Sequence, residues 1–273
     1  MNRLGARDQR VQRLRQLLRR SSVRDSERAF VAEGVRVVEA AFDAGAPLQS
    51  LFVAADWRSS ASVAAVVERA DRAGLAVFEL GPGIMERVAD TVSPQAVCAV
   101  VGALQVGLDE LLSRAVPSSA QGVVLVCVDV RDPGNLGAVL RIASATGALG
   151  VVCCEGTVDP FNPKVVRSSA GALFRVPLVT GVGPAQALAG LAAHGYRCWA
   201  TVPRGGTNYE AADFAGPTAF VFGNEGAGLP AEVVGRLDGS ITIPMSDGTE
   251  SLNVAMTAAV LCFDAARRRR SPG

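Results

Sequence analysis

Short apolar runs rich in β-branched residues alternate with helical patterns along most of the chain. The run GVVLVCVDV, which begins at Gly122, is apolar almost throughout, and so are the later runs LGVVCCE and TAFVFGN. A strand with one solvated face alternates polar and apolar residues, whereas a strand covered by helices on both faces does not. The pattern therefore predicts an α/β protein whose second half is built on a parallel sheet.

The 273 residues divide into segments of different character. Residues 1–21 predict a basic amphipathic helix, because apolar side chains recur there at helical spacing, namely Val11, Leu14, Leu17 and Leu18. Residues 22–105 predict a small α/β unit. Residues 106–120 are polar and contain Pro117, which predicts a linker, and residues 121–270 predict a second α/β unit.

The basic residues are almost all arginine, and they gather at the two ends of the chain. Lys164 is the only lysine, and the net charge is +1. Guanidinium groups match phosphate geometry, so two basic ends suggest a nucleic-acid partner, but solvated helix faces explain the same pattern equally well. The arginines concerned are Arg3, Arg7, Arg10, Arg13, Arg15, Arg19, Arg20, Arg24, Arg28 and Arg267 to Arg270.

Several kinds of site and location are disfavoured by the composition. The six cysteines form no CxxC pair and predict small buried side chains in a reducing compartment. His194 is the only histidine and precedes a glycine, as at a helix end, so neither a metal site nor a histidine general base is expected. No run is long and apolar enough to span a membrane, and the first residues lack a secretory pattern. We expect a cytoplasmic protein that binds no metal and no membrane.

Three polar stretches that contain glycine follow strands of the second unit, at the edge where parallel sheets bind ligands. The first contains Asn135-x-Gly137-x-x-x-Arg141. If a helix begins near Asn135, Arg141 lies almost two turns later, and we expect both side chains to point at a common space. The alternative is that Asn135 caps the helix and that Arg141 is an ordinary surface residue.

The second stretch is FVFGNEGAGLP, from Phe220 to Pro230. Its glycines allow close approach of the backbone, but the spacing fits neither a dinucleotide-binding loop nor a P-loop. Glu225 lies inside this loop, where it either serves a site, caps the next helix or faces water.

The third stretch, IPMSDGTESLNVAMTAA, runs from Ile243 into the closing helix. Ser251 is predicted to be the N-cap of that helix, and Asn253 falls in its first turn. The helix is apolar nearly all round, which predicts that it is buried. A buried amide without a partner costs about 1–3 kcal/mol, so Asn253 is expected to have one.

Taken together and in this order, the three stretches resemble the SpoU/TrmH family of RNA ribose 2′-O-methyltransferases, within the SPOUT class. The family motifs match Asn135 to Arg141, FVFGNEGAGLP, and IPM followed by a short loop and SLNV. The resemblance covers the second unit. More loosely, FVAEGVRVVEAAFDAG in the first unit is similar to the ribosomal-protein-like RNA-binding domain of many members.

The resemblance implies a C-terminal methyltransferase domain with a trefoil knot, although knots are otherwise rare. It also implies a homodimer that binds S-adenosylmethionine and RNA. The implied catalytic and substrate-side residues are Asn135, Arg141, Glu225, Ser251 and Asn253. The implied cofactor contacts are Thr201, Val202, Gly223, Ile243, Met245, Leu252 and Asn253.

The family is often described with Arg141 as proton acceptor. A guanidinium stays protonated in proteins, so we expect Arg141 to stabilise negative charge on the ribose oxygen instead. Ser251 or water would then relay the proton, while Asn135 and Glu225 would orient Arg141 and the ribose.

The expected substrate is large-subunit ribosomal RNA, because members with a separate RNA-binding domain mostly act there. A tRNA ribose methyltransferase and a knotted RNA-binding module without activity remain alternatives. Methylation of a base and an ordinary nucleotide-binding fold are further rivals, although the Asn135–Arg141 motif marks the ribose branch and phosphate-loop signatures are missing.

Overall fold

The computed structural model of the chain describes residues 2–89, 94–113 and 122–270. Its strands are β1 (Asn2–Leu4), β2 (Ala29–Glu33), β3 (Leu48–Val53), β4 (Val77–Leu80), β5 (Val97–Gly102), β6 (Val123–Cys127), β7 (Gly150–Cys154), β8 (Leu178–Val182), β9 (Arg197–Thr201), β10 (Thr207–Asn208), β11 (Thr218–Phe222) and β12 (Gly239–Thr242). Its α-helices are α1 (Gln9–Arg19), α2 (Ser21–Glu27), α3 (Val35–Asp43), α4 (Ala61–Arg72), α5 (Ile84–Val88), α6 (Leu108–Leu112), α7 (Pro133–Thr146), α8 (Pro163–Ser168), α9 (Pro184–Ala193), α10 (Ala231–Val234) and α11 (Val254–Arg270). Single 3-10 turns lie at Trp57–Ser59 and Ala172–Phe174.

The chain forms two units, and the first comprises residues 1–104 and 159–174. Its sheet has the order β1-β4-β3-β5-β2, in which β4 is parallel to both neighbours and β5 is antiparallel to both of its own. The predicted amphipathic helix is present as α1, and its apolar residues Val11, Leu14, Leu17 and Leu18 are buried in the core of this unit. Residues 1–21 are therefore part of the first unit and not a separate segment, and they include strand β1, which was not predicted.

Residues 159–174 belong to the first unit although they lie between two strands of the second. The ring of Phe30 on β2 stacks on Phe161 at 4.8 Å and on Phe174 at 6.1 Å between centroids. Arg24 is only 5% exposed and pairs with Asp159, and Glu33 is 4% exposed and pairs with Arg167 at 3.0 Å. A buried charge without its partner is strongly destabilising, so these pairs fix the segment in the core of the first unit.

The second unit comprises residues 105–158 and 175–273. Its sheet has the order β10-β12-β9-β11-β6-β7-β8, and every neighbouring pair is parallel, as predicted. Every residue of β6, β7 and β11 is buried, which explains why these runs lack the alternation of a half-solvated strand.

Helix α6 falls inside the predicted linker 106–120 and corrects that prediction. Leu111 and Leu112 are buried in the core of the second unit, and a methyl group on Gly150 of β7 would lie 2.6 Å from Leu111 Cδ1. Residues 106–113 are therefore folded into the second unit, where β7 needs glycine to admit them. The remaining linker residues lie outside the described part of the chain.

The closing helix differs from its prediction in its start and in its burial. It begins at Val254, and one face, which includes Ala258, Leu261 and Cys262, is buried. Met256 and Phe263 are 60% and 48% exposed. The prediction that the helix is buried nearly all round is therefore wrong for a single copy of the chain.

The arginines at the end of α11 serve the fold. Arg268 donates to the carbonyl groups of Tyr209, Glu210 and Ala212 and pairs with Asp264. The guanidinium of Arg269 is half-buried, and this burial lowers its pKa. Part of the C-terminal arginine cluster therefore anchors α11 to the second unit. This weakens the interpretation that the C-terminal arginines bind nucleic acid.

Candidate functional site

The start of α7 positions the first polar stretch. The Asp132 carboxylate caps the helix by accepting from the Asn135 N–H at 2.8 Å, and Pro133 occupies the first turn, where its missing N–H is harmless. Asn135 is therefore not the cap, and its side chain is available for other contacts. The alternative reading of Asn135 as a capping residue is wrong.

A chain of hydrogen bonds joins the three polar stretches. Asn253 Nδ2 donates to Asn135 Oδ1 at 2.7 Å, and Asn135 Nδ2 donates to Glu225 Oε1 at 2.9 Å. Asn135 is 8% exposed, so most of its polar surface is satisfied by these two partners. Asn253 thus has a partner, as predicted, although it is exposed and not buried as that prediction assumed. Each stretch supplies one member of the chain.

Glu225 is held as a carboxylate by several donors. Burial opposes its ionisation, but hydrogen bonds from the Asn135 side chain and from the Asp132 and Arg131 N–H groups outweigh it, so the pKa of Glu225 lies below its ordinary value of 4.5. Because Glu225 accepts from the loop before α7, it neither caps the next helix nor simply faces water. It fixes that loop against the glycine-rich one.

Asn224 and Asp129 form a second link between the same loops, which the sequence reasoning missed. Asn224 Nδ2 donates to the Asp129 carbonyl at 3.0 Å, and Asn224 Oδ1 accepts from the N–H groups of Gly226 and Ala227. Asp129 has a φ of 55°, a left-handed conformation that few residue types tolerate. An asparagine inside a glycine-rich loop was the available signal, since such side chains often bond to nearby backbone.

A cavity of about 270 Å³ lies beside this network, at the carboxyl ends of β9, β11 and β12. Its walls include most of the predicted cofactor contacts: Thr201, Val202, Gly223, Ile243, Met245 and Leu252. Glu225 and Ser251 also line it, together with Phe222, Val254, Thr257 and Leu261. The cavity therefore combines an apolar wall with a few polar groups, as small-molecule sites usually do.

Gly223 lets two stretches of backbone touch at the cavity wall. A methyl group at Gly223 would lie 2.4 Å from the Gly228 carbonyl carbon and 2.6 Å from the Leu229 nitrogen. Any other residue would push the glycine-rich loop away, so the shape of the cavity depends on this position.

Two predicted site residues are placed differently from their predictions. Arg141 is exposed and does not line the cavity, and its side chain has no hydrogen bond or ion pair within the described chain. Arg141 follows Asn135 by six residues, which places the two side chains roughly a third of a turn apart around the helix axis. The prediction that both side chains share one face of the helix is therefore wrong.

Ser251 is not the cap of α11. The Asn253 side chain accepts from the Ala255 N–H at 2.8 Å and from the Met256 N–H at 3.4 Å, so Asn253 has that role. Ser251 is exposed and faces the cavity, whereas Asn253 is not among its lining residues.

The described residues show neither a membrane helix nor a metal cluster. No helix among them is both long and apolar enough to cross a bilayer. They also contain no group of three or more His, Cys, Asp or Glu side chains arranged to hold a metal ion.

Two family models match the chain. Residues 122–263 match the model described as the SpoU rRNA methylase family, and residues 8–99 match the MRM3-like substrate binding domain. The first match covers more than half of the chain and contains all three polar stretches.

Relatives and solved structures are similar over nearly the whole length. The 23S rRNA (guanosine(2553)-2′-O)-methyltransferase RlmP of Bacillus subtilis is 30% identical, over 88% of this chain and 89% of its own. The AdoMet-bound rRNA methyltransferase of Sinorhizobium meliloti has a TM-score of 0.84 and 27% identity, covering 100% and 99% of the two chains. The AdoMet complex of AviRb from Streptomyces viridochromogenes has a TM-score of 0.84 and 28% identity, covering 97% and 99%.

Proposed function

Because the chain belongs to the SpoU rRNA methylase family, we propose that it methylates a ribose 2′-hydroxyl of large-subunit ribosomal RNA and uses S-adenosylmethionine as methyl donor. The observation that carries this proposal is the hydrogen-bonded chain Asn253–Asn135–Glu225 beside a partly apolar cavity. The names of the rRNA methyltransferases that it resembles over 88% and 100% of its length support the choice of RNA.

The cavity fits the methyl donor by its chemistry. Ile243 and Leu252 offer apolar surface to an aromatic base, and Gly223 offers bare backbone at the wall. Thr201 uses its hydroxyl to bond the Val221 carbonyl, so we assign it, with Val202 and Met245, to wall contacts and not to polar recognition. Asn253 binds Asn135 and caps α11, which makes it a positioning residue and not a cofactor contact.

When bound, S-adenosylmethionine supplies an activated methyl group, and the protein must place the hydroxyl and stabilise its oxygen. We assign to Arg141 the stabilisation of negative charge on that oxygen, because its guanidinium is exposed and unpaired within the described chain. Arg141 does not line the cavity of its own chain, so this role depends on how RNA or a second copy meets α7. Glu225 and Asn135 hold the loop from which α7 starts and thereby set the position of this helix. Ser251, on the cavity wall, accepts the proton that leaves the ribose hydroxyl and passes a proton on to water.

We propose that the protein is a homodimer. Met256 and Phe263 project from α11 into solvent in the single chain, and large exposed apolar side chains on one helix are typical of an interface. Helix α11 also packs on α7, the helix that carries Arg141. A dimer interface on α11 would therefore lie close to the catalytic helix.

We also propose a trefoil knot in the second unit and a cytoplasmic location. The chain leaves β12 near one edge of the sheet, passes the cavity through residues 243–253 and returns to pack on α7. This path supports the proposal, because a knotted C-terminal segment would also pass the cavity before it packs against the sheet. The cytoplasmic location follows from a ribosomal RNA substrate.

The test uses the purified protein, tritiated S-adenosylmethionine, and total ribosomal RNA or tRNA from cells that lack the protein. We expect label in large-subunit rRNA at a linkage that resists alkali, because a methylated 2′-oxygen cannot attack the phosphate. Label in tRNA would support the alternative substrate. Label at an alkali-sensitive linkage would show base methylation, and cofactor binding without any label in free or assembled RNA would favour a binding module.

A further inference from the structure

We propose that Arg15, Arg19, Arg20 and Arg28 form a phosphate-binding surface for RNA on the first unit, which we call the arginine surface. The inference rests on the proposed function, because its partner is the RNA substrate. It deepens that function by naming the side chains that hold RNA phosphates within the segment that matches a substrate binding domain.

The structure sorts the N-terminal arginines into two groups. Arg3 pairs with Glu79, Arg10 with Asp8 and Arg13 with Glu27, and the buried Arg24 pairs with Asp159. The charge of each is neutralised by a neighbour in the fold. A second group is exposed and has no hydrogen bond or ion pair within the described chain through its side chain, and it includes the four members of the arginine surface.

Their spacing disfavours a purely structural role. Arg15 and Arg19 are one turn apart on α1, and like charges at this spacing destabilise a helix. No acidic residue occurs between Gln9 and Arg24 to offset them. Elsewhere in the same unit, Arg58 and Arg69 are also solvent-accessible, yet each has an acidic partner, Glu79 and Asp43. Arg36 and Arg87 are exposed and unpaired within the described chain, but neither has a second arginine one helical turn away. The unpaired charges on α1 therefore suit a phosphate partner that the chain does not supply.

Arg28 adds an independent observation from the backbone. It ends α2 with a φ of 48°, in the left-handed region that glycine adopts without strain. Its N–H and carbonyl both make backbone hydrogen bonds that glycine would make as well. Glycine would therefore fit the backbone at this position with less strain than arginine. The exposed guanidinium is the only group that arginine contributes beyond it.

A nucleic-acid backbone fits this surface better than a membrane does. Four guanidinium groups offer paired donors that match phosphate oxygens. Membrane-surface helices add large apolar side chains to their charges, whereas the large exposed apolar residues of the described chain are Val234, Met256 and Phe263, all in the second unit.

The test compares full-length variants by fluorescence anisotropy with a labelled 30-nucleotide RNA hairpin at several KCl concentrations. We expect the double variant Arg15→Gln/Arg19→Gln to bind about tenfold more weakly at 100 mM KCl. The magnitude of the slope of log affinity against log salt should fall by about 1.5. Each phosphate contact contributes about 0.7–0.9 to this slope through counterion release, and the variant loses two contacts.

The matched control is Arg10→Gln/Arg13→Gln, which removes the same charge from the same helix at paired positions. We expect its salt slope to stay at the wild-type value. Equal effects of both double variants would show that net charge alone acts, and an unchanged slope in the first would place the RNA surface elsewhere. Either result overturns the proposal, and so does weaker binding to anionic vesicles or to polyglutamate with unchanged RNA binding.

Arg28→Gly separates binding from folding. We expect a melting temperature at or above that of the wild type, with weaker RNA binding and a smaller salt slope. Unchanged RNA binding would remove Arg28 from the surface. Methyl transfer by the wild-type protein is measured separately, so a protein that binds RNA through these arginines but transfers no methyl group would contradict the proposed function alone.

Discussion

The side-chain amide of Asn253 donates to Oδ1 of Asn135 across 2.7 Å, although 118 residues separate the two in sequence. Asn253 also caps α11, and Asn135 lies in the first turn of α7. The starts of two packed helices are therefore tied together by one hydrogen bond, and Glu225 continues the link. The side chains of the site are thus held in place by the starts of two helices as well as by loops.

Replacement of Asn135 by alanine removes both links at once. We expect methyl transfer to fall by about a hundredfold, because Glu225 and Asn253 lose their common partner, and unfolding free energy to fall by about 1–3 kcal/mol. Single-turnover assays and urea denaturation measure the two effects. Full activity in this variant would show that the hydrogen-bonded chain is not needed for catalysis.

Arg141→Ala should affect chemistry without affecting the fold. The side chain is exposed and unpaired within the described residues, so we expect stability within about 0.5 kcal/mol of wild type. We expect kcat to fall by about 10²–10³, the range for loss of a charge-stabilising group. Calorimetry with S-adenosylmethionine should give an unchanged Kd, and a loss of cofactor binding would contradict the assigned role.

Gly223→Ala should close the cavity. The added methyl group would overlap the backbone at Gly228, so we expect a loss of about 1–3 kcal/mol in stability and at least tenfold weaker binding of S-adenosylmethionine. Gly226→Ala is the matched control in the same loop, because its methyl group would meet only Asn224 Oδ1 at 3.7 Å. Equal Kd values for the two variants in calorimetry would count against a cofactor site here.

Glu225 should make stability depend on pH. Its pKa is lower in the folded protein than its ordinary value of 4.5, so the ionised carboxylate stabilises the fold above that value, and this contribution is lost as pH falls through the folded pKa. We expect the stability difference between wild type and Glu225→Gln to be constant above about pH 6 and to shrink below about pH 4.5.

Urea denaturation at a series of pH values measures this difference. The exposed Glu232 makes no hydrogen bond through its side chain within the described chain, so Glu232→Gln serves as the control for loss of one carboxylate. A Glu225→Gln difference that does not change with pH, or that changes no more than that of the control, would show that the hydrogen bonds do not favour the charged form.

Charged substitutions on the exposed face of α11 should separate the proposed dimer. We expect Met256→Glu/Phe263→Glu to sediment as a monomer, because burial of either carboxylate in an apolar interface is costly. Val234→Glu, at another exposed apolar position, should keep the wild-type state. A wild-type protein that already sediments as a monomer would end the proposal.

The strands and the three polar stretches could be predicted because their signals are local. Parallel strands buried on both faces produce apolar runs, and the order of the stretches along the chain resembles that of a known family. The N-cap of α11 was misassigned because Ser251 and Asn253 both suit that position, and only the partner Asn135, which is remote in sequence, decides between them. Local pattern carries no information about such a partner.

The sequence did not predict which face of α11 is exposed, nor that residues 159–174 belong to the first unit, for a related reason. An apolar helix face looks the same in sequence whether it is covered by its own chain or left exposed, as at Phe263. The segment that contains Phe161 reads as an ordinary connection between strands, because its aromatic partner Phe30 lies far away in the sequence.

The contribution of residues 159–174 to the first unit has a consequence for synthesis of the protein on the ribosome. Domains generally fold from the N-terminus as the chain emerges. Here Phe30, Arg24 and Glu33 receive their partners only after residues 159–174 have been translated. The first unit must therefore wait for β6, α7 and β7 to leave the exit tunnel, so neither unit can be completed before the other has begun.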